Sequence, residues 1–168
     1  MRHLKIADMT LETNRQKVIR FFEKFIENYI VRDLTILQSI QPDKETGMGG
    51  CTIPTAMTII SSMELLGFLL NPNGETGNSK ENISHFLFFP NERLFPNYYD
   101  NVTFEKIYNY RHGMMHHFFP KFKGQFAGIC KNENTAELYI PHQIDGMEEK
   151  SLNINVLTID FLDALNKL

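Results

Sequence analysis

Apolar residues recur at three- and four-residue spacing over much of the chain, the pattern of helices that bury one face. Val18, Phe21, Phe22, Phe25, Ile26, Tyr29 and Ile30 form the first such stripe, with Glu12, Arg15, Lys17, Glu23, Lys24 and Glu27 on its wet side. Thr10 is a suitable cap, and Leu34 and Leu37 carry the pattern on to Ile40. Residues 41–51 (QPDKETGMGGC) read as a loop by Pro and Gly content, and they lack the Lys-Ser/Thr ending of a phosphate-binding loop. A second helix is predicted over 52–70, capped by Thr52 with Pro54 in its first turn. Residues 71–80 (NPNGETGNSK) form the next loop, 81–89 a short helix stopped by Pro90, and 91–100 an irregular aromatic segment with Phe95, Tyr98 and Tyr99 packed onto the bundle.

A fourth helix is expected from about 100–103 to just before Pro120. Its stripe is Phe104, Ile107, Tyr108, Arg111, Met114, Met115 and Phe118, so an arginine interrupts an otherwise apolar face. Strand-like segments follow at 125–131 and 136–140, joined by a turn over 132–135, and predict a hairpin. Leu152 and Ile154 add a short extended piece, and Asn155 can cap a last helix bearing Val156, Ile159, Phe161, Leu162 and Leu165. The expected fold is mainly α: one domain over 1–168, a bundle of four to five helices with a small β-hairpin before the C-terminal helix.

Composition narrows the classes. The chain has 168 residues, 42% of them hydrophobic, enough for one buried core and against global disorder. Lys plus Arg is 17 and Asp plus Glu is 20, so charge alone does not drive duplex binding and any basic site is local. Two cysteines, Cys51 and Cys130, are too few for a disulfide framework or a four-thiolate zinc site. The first ten residues are mixed polar without the apolar core of a secretion signal, which points to a cytoplasmic protein. Residues 52–70 contain a single formal charge, Glu64, but Pro, Thr and Ser interrupt the run. A central, nearly fully buried helix is expected there rather than a membrane span.

The chemistry-bearing segment is 110–121, YRHGMMHHFFPK, with three of the six histidines beside an arginine. Histidine has an unperturbed pKa near 6.5 and takes or gives a proton near neutrality. Arginine stays cationic and grips phosphate bidentately. Cleavage of RNA by its own 2′-hydroxyl needs those two services, a proton carrier and a cation for the phosphorane-like transition state. Arg111 and His116 are five residues apart, about 140° around a helix. Either the long Arg111 side chain swings round, or two facing copies of that helix, in a symmetric dimer, complete one site.

The order Arg111-His112-Gly113-Met114-Met115-His116 resembles the HEPN motif, an arginine followed by a polar residue and then a histidine after four to six intervening residues. His117 satisfies the five-residue spacing equally well. The position of the motif in a late helix of a helical bundle is similar to HEPN domains, whereas the predicted hairpin is not part of the basic HEPN bundle. The resemblance implies Arg111 and His116 as catalytic residues, His112 as the polar residue after the arginine, a homodimer, and metal-independent endoribonuclease activity or RNA binding on single-stranded RNA, without a cofactor. Family members include toxins paired with nucleotidyltransferase-type antitoxins and effectors of phage defence, so such an antitoxin is a partner the resemblance allows.

Other readings of the same residues stand beside it. Arg111 can pair with Glu64 as a structural ion pair, with His112, His116 and His117 on a solvated face, in a non-catalytic interaction or anion-binding module. Glu64 at the edge of a cleft would instead support Arg111 or a histidine, the outcome favoured here. His112 and His116 are also one turn apart, as zinc ligands are, with His85, His142 or an acid as a third. Gly113 stands where the glutamate of a zinc-protease motif would be, and no metal is assigned. Phe118, Phe119, Tyr98 and Tyr99 could stack nucleobases, although core packing is the commoner use of such residues.

Overall fold

The structure, a computed structural model, describes residues 13–45, 49–73, 75, 77–90, 92–117, 121–122, 125–126, 128–144 and 147–168. It is mainly helical, with a small sheet before the C-terminal helix, as the periodicity predicts. The first helical run is one rod in three parts: α1 (Asn14–Phe25), a π-helical segment (Ile26–Val31) and α2 (Arg32–Ser39). Thr10 lies outside the described residues. The cap is Thr13, which closes a capping box with Gln16: the Gln16 N–H donates to Thr13 Oγ1, and the Thr13 N–H donates to Gln16 Oε1. The π segment has a local cause. Asn28 Nδ2 donates to the Lys24 carbonyl at 2.7 Å, taking the acceptor that the Asn28 backbone N–H uses in an α-helix.

The predicted core stripe of this rod is too wide. Ile30 and Leu34 are buried and Phe22, Phe25 and Ile26 are partly so, but Phe21 and Tyr29 stand in solvent. One rod packed on one side covers a single narrow stripe, and seven apolar positions exceed it.

Helix α3 (Thr52–Leu70) is the centre of the bundle, with eight buried residues that include Ile59, Ile60, Met63 and Leu66. Thr52 is its first residue. The capping position is Cys51, in the left-handed region at φ 54°, after Gly49 and Gly50, both also at positive φ. Among the described residues α3 alone is long and apolar enough to cross a membrane, with a mean hydropathy of 1.6. It is less buried than expected: Pro54, Ser61 and Leu69 are exposed, so its small and polar positions mark a wet side.

Helix α4 (Ser79–Leu87) starts two residues before the expected position and lies close against α3. Gly67 makes that approach feasible, since a Cβ there would sit 1.8 Å from the Asn82 carbonyl oxygen. Helix α5 (Asn101–His117) begins after Asp100, whose carboxylate accepts from the Thr103 N–H at 2.8 Å. That bond holds the Asp100 carboxyl below its usual range. The inner face of α5 is Phe104, Ile107, Tyr110 and Met114. Met115 is exposed and Tyr108 only partly buried, so the stripe runs to one side of the predicted one; Phe118 lies outside the described residues. In the segment before α5, Phe95 and Tyr99 are buried and Tyr98 is partly exposed.

The strands pair differently from the expectation. β1 (Lys121–Phe122) and β2 (Gln125–Phe126) form a minimal antiparallel pair. β3 (Ile129–Cys130) runs parallel to β5 (Met147–Asn153), and β4 (Tyr139–Ile144) is antiparallel to β5, giving the order β3-β5-β4. The hairpin is therefore β4–β5, and the segment 132–135 belongs to a crossover between two strands that never touch each other. Asn153 causes this. Its Nδ2 donates to the carbonyls of Asn132 and Glu137, while its Oδ1 accepts from the Asn132 and Asn155 N–H groups. One buried amide thus pins the crossover and caps α6 (Ile154–Asn166), the role expected of Asn155. Leu152 is in β5 as an extended residue, but Ile154 already begins α6.

Candidate functional site

The motif residues lie on the last two turns of α5, at the border between its packed and wet faces. Arg111 is at that border, with Gly113 and Met114 turned inward and His112, Met115 and His116 outward. This corrects the picture of an arginine within the apolar stripe, because Tyr110 takes the inner position.

Arg111 reaches across to α3. Its Nε donates to Glu64 Oε2 at 3.1 Å, and Nη2 lies 3.1 Å from Oε2 and 3.4 Å from Oε1. The carboxylate is held in turn by the hydroxyl of Ser79, the first residue of α4, which donates to Oε1 at 2.6 Å. Three helices therefore meet at one charge cluster. Gly67, one turn beyond Glu64, sets the α3–α4 distance that lets Ser79 reach it. The pair is not deep in the core: the Arg111 and Glu64 side chains keep 21% and 22% of their exposure. Guanidinium Nη1 takes no part in the pair, so its two N–H groups can serve an anion.

His112 and His116 form a second pair, with ring centroids 4.5 Å apart and planes tilted by 50°. Both are exposed. Among the described residues, no hydrogen bond or ion pair joins Arg111 to either histidine. The side chain of His117 lies outside the described residues, as does that of His142.

Lys80 extends the polar rim beside the ion pair. Its ammonium is 2.7 Å from Glu105 and 5.5 Å from the Tyr108 ring centroid. Neither Ser79 nor Lys80 is marked as a site residue by its sequence context. Their role comes from the start of α4, which the pattern places two residues later.

No group of three His, Cys, Asp or Glu side chains converges among the described residues. His85, a proposed third ligand, sits on α4 edge-on to Phe89 with its Nε2 buried and unpartnered. Cys51 and Cys130 are free thiols, and burial pushes the Cys130 thiol up.

A cavity of about 660 Å³ lies elsewhere, between α2, α6 and the 132–136 loop, lined by residues that include Gln38, Tyr98, Asn155 and Asp160. The Asp160 carboxylate there accepts from the hydroxyls of Tyr98 at 2.5 Å and Tyr99 at 2.9 Å. Tyr99 is buried and presents no free stacking face, whereas Tyr98 keeps 44% of its exposure while its hydroxyl donates to Asp160. Phe119, like Phe118, lies outside the described residues.

No family model, no curated protein and no solved structure matches the chain.

Proposed function

We propose that the chain is an HEPN-like RNA-binding domain that cleaves single-stranded RNA without a metal ion, acting in the cytoplasm as a homodimer. The observation that carries this reading is the oriented Arg111, gripped on one edge by Glu64 with Nη1 left for a phosphate. Glu64 and Ser79 position the guanidinium. His112 and His116 add titratable groups within one turn on the same helix.

In the proposed step His116 takes the proton of the 2′-hydroxyl as its oxygen attacks the adjacent phosphorus. The bond from phosphorus to the 5′-oxygen breaks, and the imidazolium, or that of the second copy, returns a proton to the departing oxygen. Arg111 offsets the charge that builds on the phosphoryl oxygens. Within one helix Arg111 and His116 diverge by about 140°. A two-fold axis beside α5 would set the Arg111 of one copy opposite the His116 of the other. Toxin or phage-defence biology, with a nucleotidyltransferase-type antitoxin, follows only from the family resemblance.

The test compares wild type, Arg111→Ala and His116→Ala on single-stranded RNA in chelator. Cleavage to 2′,3′-cyclic phosphate ends is expected in wild type, with losses of about 10²–10⁴-fold in each variant. Equal rates in all three, or activity abolished by chelator, would refute the proposal.

The ion pair itself favours a second reading, a non-catalytic module in which Arg111 ties α5 to α3. Arg111→Ala would then lower stability and leave RNA untouched.

A further inference from the structure

The exposed aromatics of the first rod are not a failed core. Phe21, Phe25 and Tyr29 form a column: centroids are 5.1 Å apart between Phe21 and Phe25 with planes 13° from parallel, and 5.3 Å apart between Phe25 and Tyr29 with planes 27° from parallel. Tyr29 ends the column and is 65% exposed, and Phe21 is 47% exposed. The π segment serves this alignment. Four-residue steps on an α-helix drift by about 40° each, and the wider π turn takes up part of that drift and keeps Tyr29 over Phe25.

Cations share the same face. Lys17, Lys24 and Arg32 line an open groove of about 760 Å³ with the three rings, and among the described residues no carboxylate lines it. Among the described residues no side-chain hydrogen bond or ion pair engages these three cations. Arg20 lies on the same face and already has a partner. Glu23 and Glu27 are segregated to another groove, with Ile19, Phe22 and Leu70. The chain as a whole is acidic, so this concentration of positive charge is local.

We propose that this face, from Lys17 to Arg32, binds the backbone and unpaired bases of single-stranded RNA. Rings that extend a stack and cations that track phosphates are the two elements of sequence-tolerant single-strand binding. Bases locked in a duplex offer no free faces to the column. A lipid surface fits less well, because the apolar strip is only three rings long and cations flank it. The inference rests on the RNA reading above and adds a second surface to it, away from the Glu64–Arg111 cluster.

The test is fluorescence anisotropy of a labelled oligouridylate with the full chain carrying His116→Ala, so that substrate survives. Three phosphate contacts predict a salt dependence with a slope of about −2 in log K against log salt. Lys24→Gln should flatten it by about 0.7. Tyr29→Ala should weaken binding at least about fivefold without altering the circular dichroism. Absence of binding, or binding by both face variants equal to that of the parent protein, overturns the proposal. Two further outcomes overturn it as well. Phosphatidylserine vesicles bound in preference to RNA through these residues would assign the face to a lipid surface, and Tyr29→Ala splitting a dimer would assign it to a second copy. RNA bound through the face but never cleaved by wild type leaves this inference standing and removes the catalytic one. Cleavage that needs Arg111 and His116 while the face variants bind normally does the reverse.

Discussion

Glu64 and Arg111, 47 residues apart in sequence, meet side-on across α3 and α5 at 3.1 Å. Each keeps about a fifth of its exposure, so the pair lies between a surface bridge of little energetic value and a buried one whose rupture is costly. Ser79 completes it from α4.

That intermediate burial gives a graded expectation. Glu64→Gln keeps the Ser79 contact and should cost about 1 kcal/mol, and Arg111→Ala should cost about 1–2 kcal/mol. If Arg111 also serves RNA, cleavage falls far more than stability in both variants. Thermal melts beside a cleavage assay separate the two roles. Matching losses of about 3–5 kcal/mol in both would make the pair purely structural.

Gly67→Ala should be among the most damaging small changes in α3. A methyl group cannot occupy a point 1.8 Å from the Asn82 carbonyl oxygen, so α4 must move outward. Overpacking of this kind costs about 1–3 kcal/mol, against a helix-propensity gain of at most about 1 kcal/mol. Urea unfolding is the measurement, with Ser61→Ala, on the exposed side of the same helix, as the control expected to stay within about 0.5 kcal/mol.

Asn153→Ala removes a helix cap and the donors that hold the carbonyls of Asn132 and Glu137. The expected loss is about 2–4 kcal/mol. Hydrogen exchange should show the 132–137 crossover and the first turn of α6 opening together.

Four phenols give the fold an alkaline limit. Burial raises Tyr98, Tyr99, Tyr110 and Tyr139, and the Asp160 carboxylate adds to the rise at Tyr98 and Tyr99. Unfolded tyrosines titrate near 10. The native state therefore holds more protons than the unfolded state above that pH. The stability these groups contribute is complete below pH 10 and is lost as pH rises further. Tyrosinate absorbance should develop together with unfolding. Ionisation of these four in an intact fold would contradict the assignment.

Helix positions were largely legible because helical period is a local property. The ranges of α3 and α5 follow from caps, prolines and spacing. Strand pairing was not, because it depends on Asn153, a residue that reads locally as turn or cap and acts at a distance of 16 and 21 residues. The Glu64–Arg111 contact was legible because Glu64 is the single formal charge of α3 and Arg111 breaks the apolar spacing read for α5. Ser79 was not, since its role depends on a glycine one helix away. Phe21 and Tyr29 read as core because period reports which side a residue is on and not whether anything covers it.

The central position of α3 carries a consequence for synthesis. Its partner α6 begins some 80 residues downstream. At ribosomal rates this delay is on the order of 5–15 s. Throughout it, the most apolar helix of the nascent chain has one flank uncovered. Packing of the core can finish only once α6 is available to cover that flank.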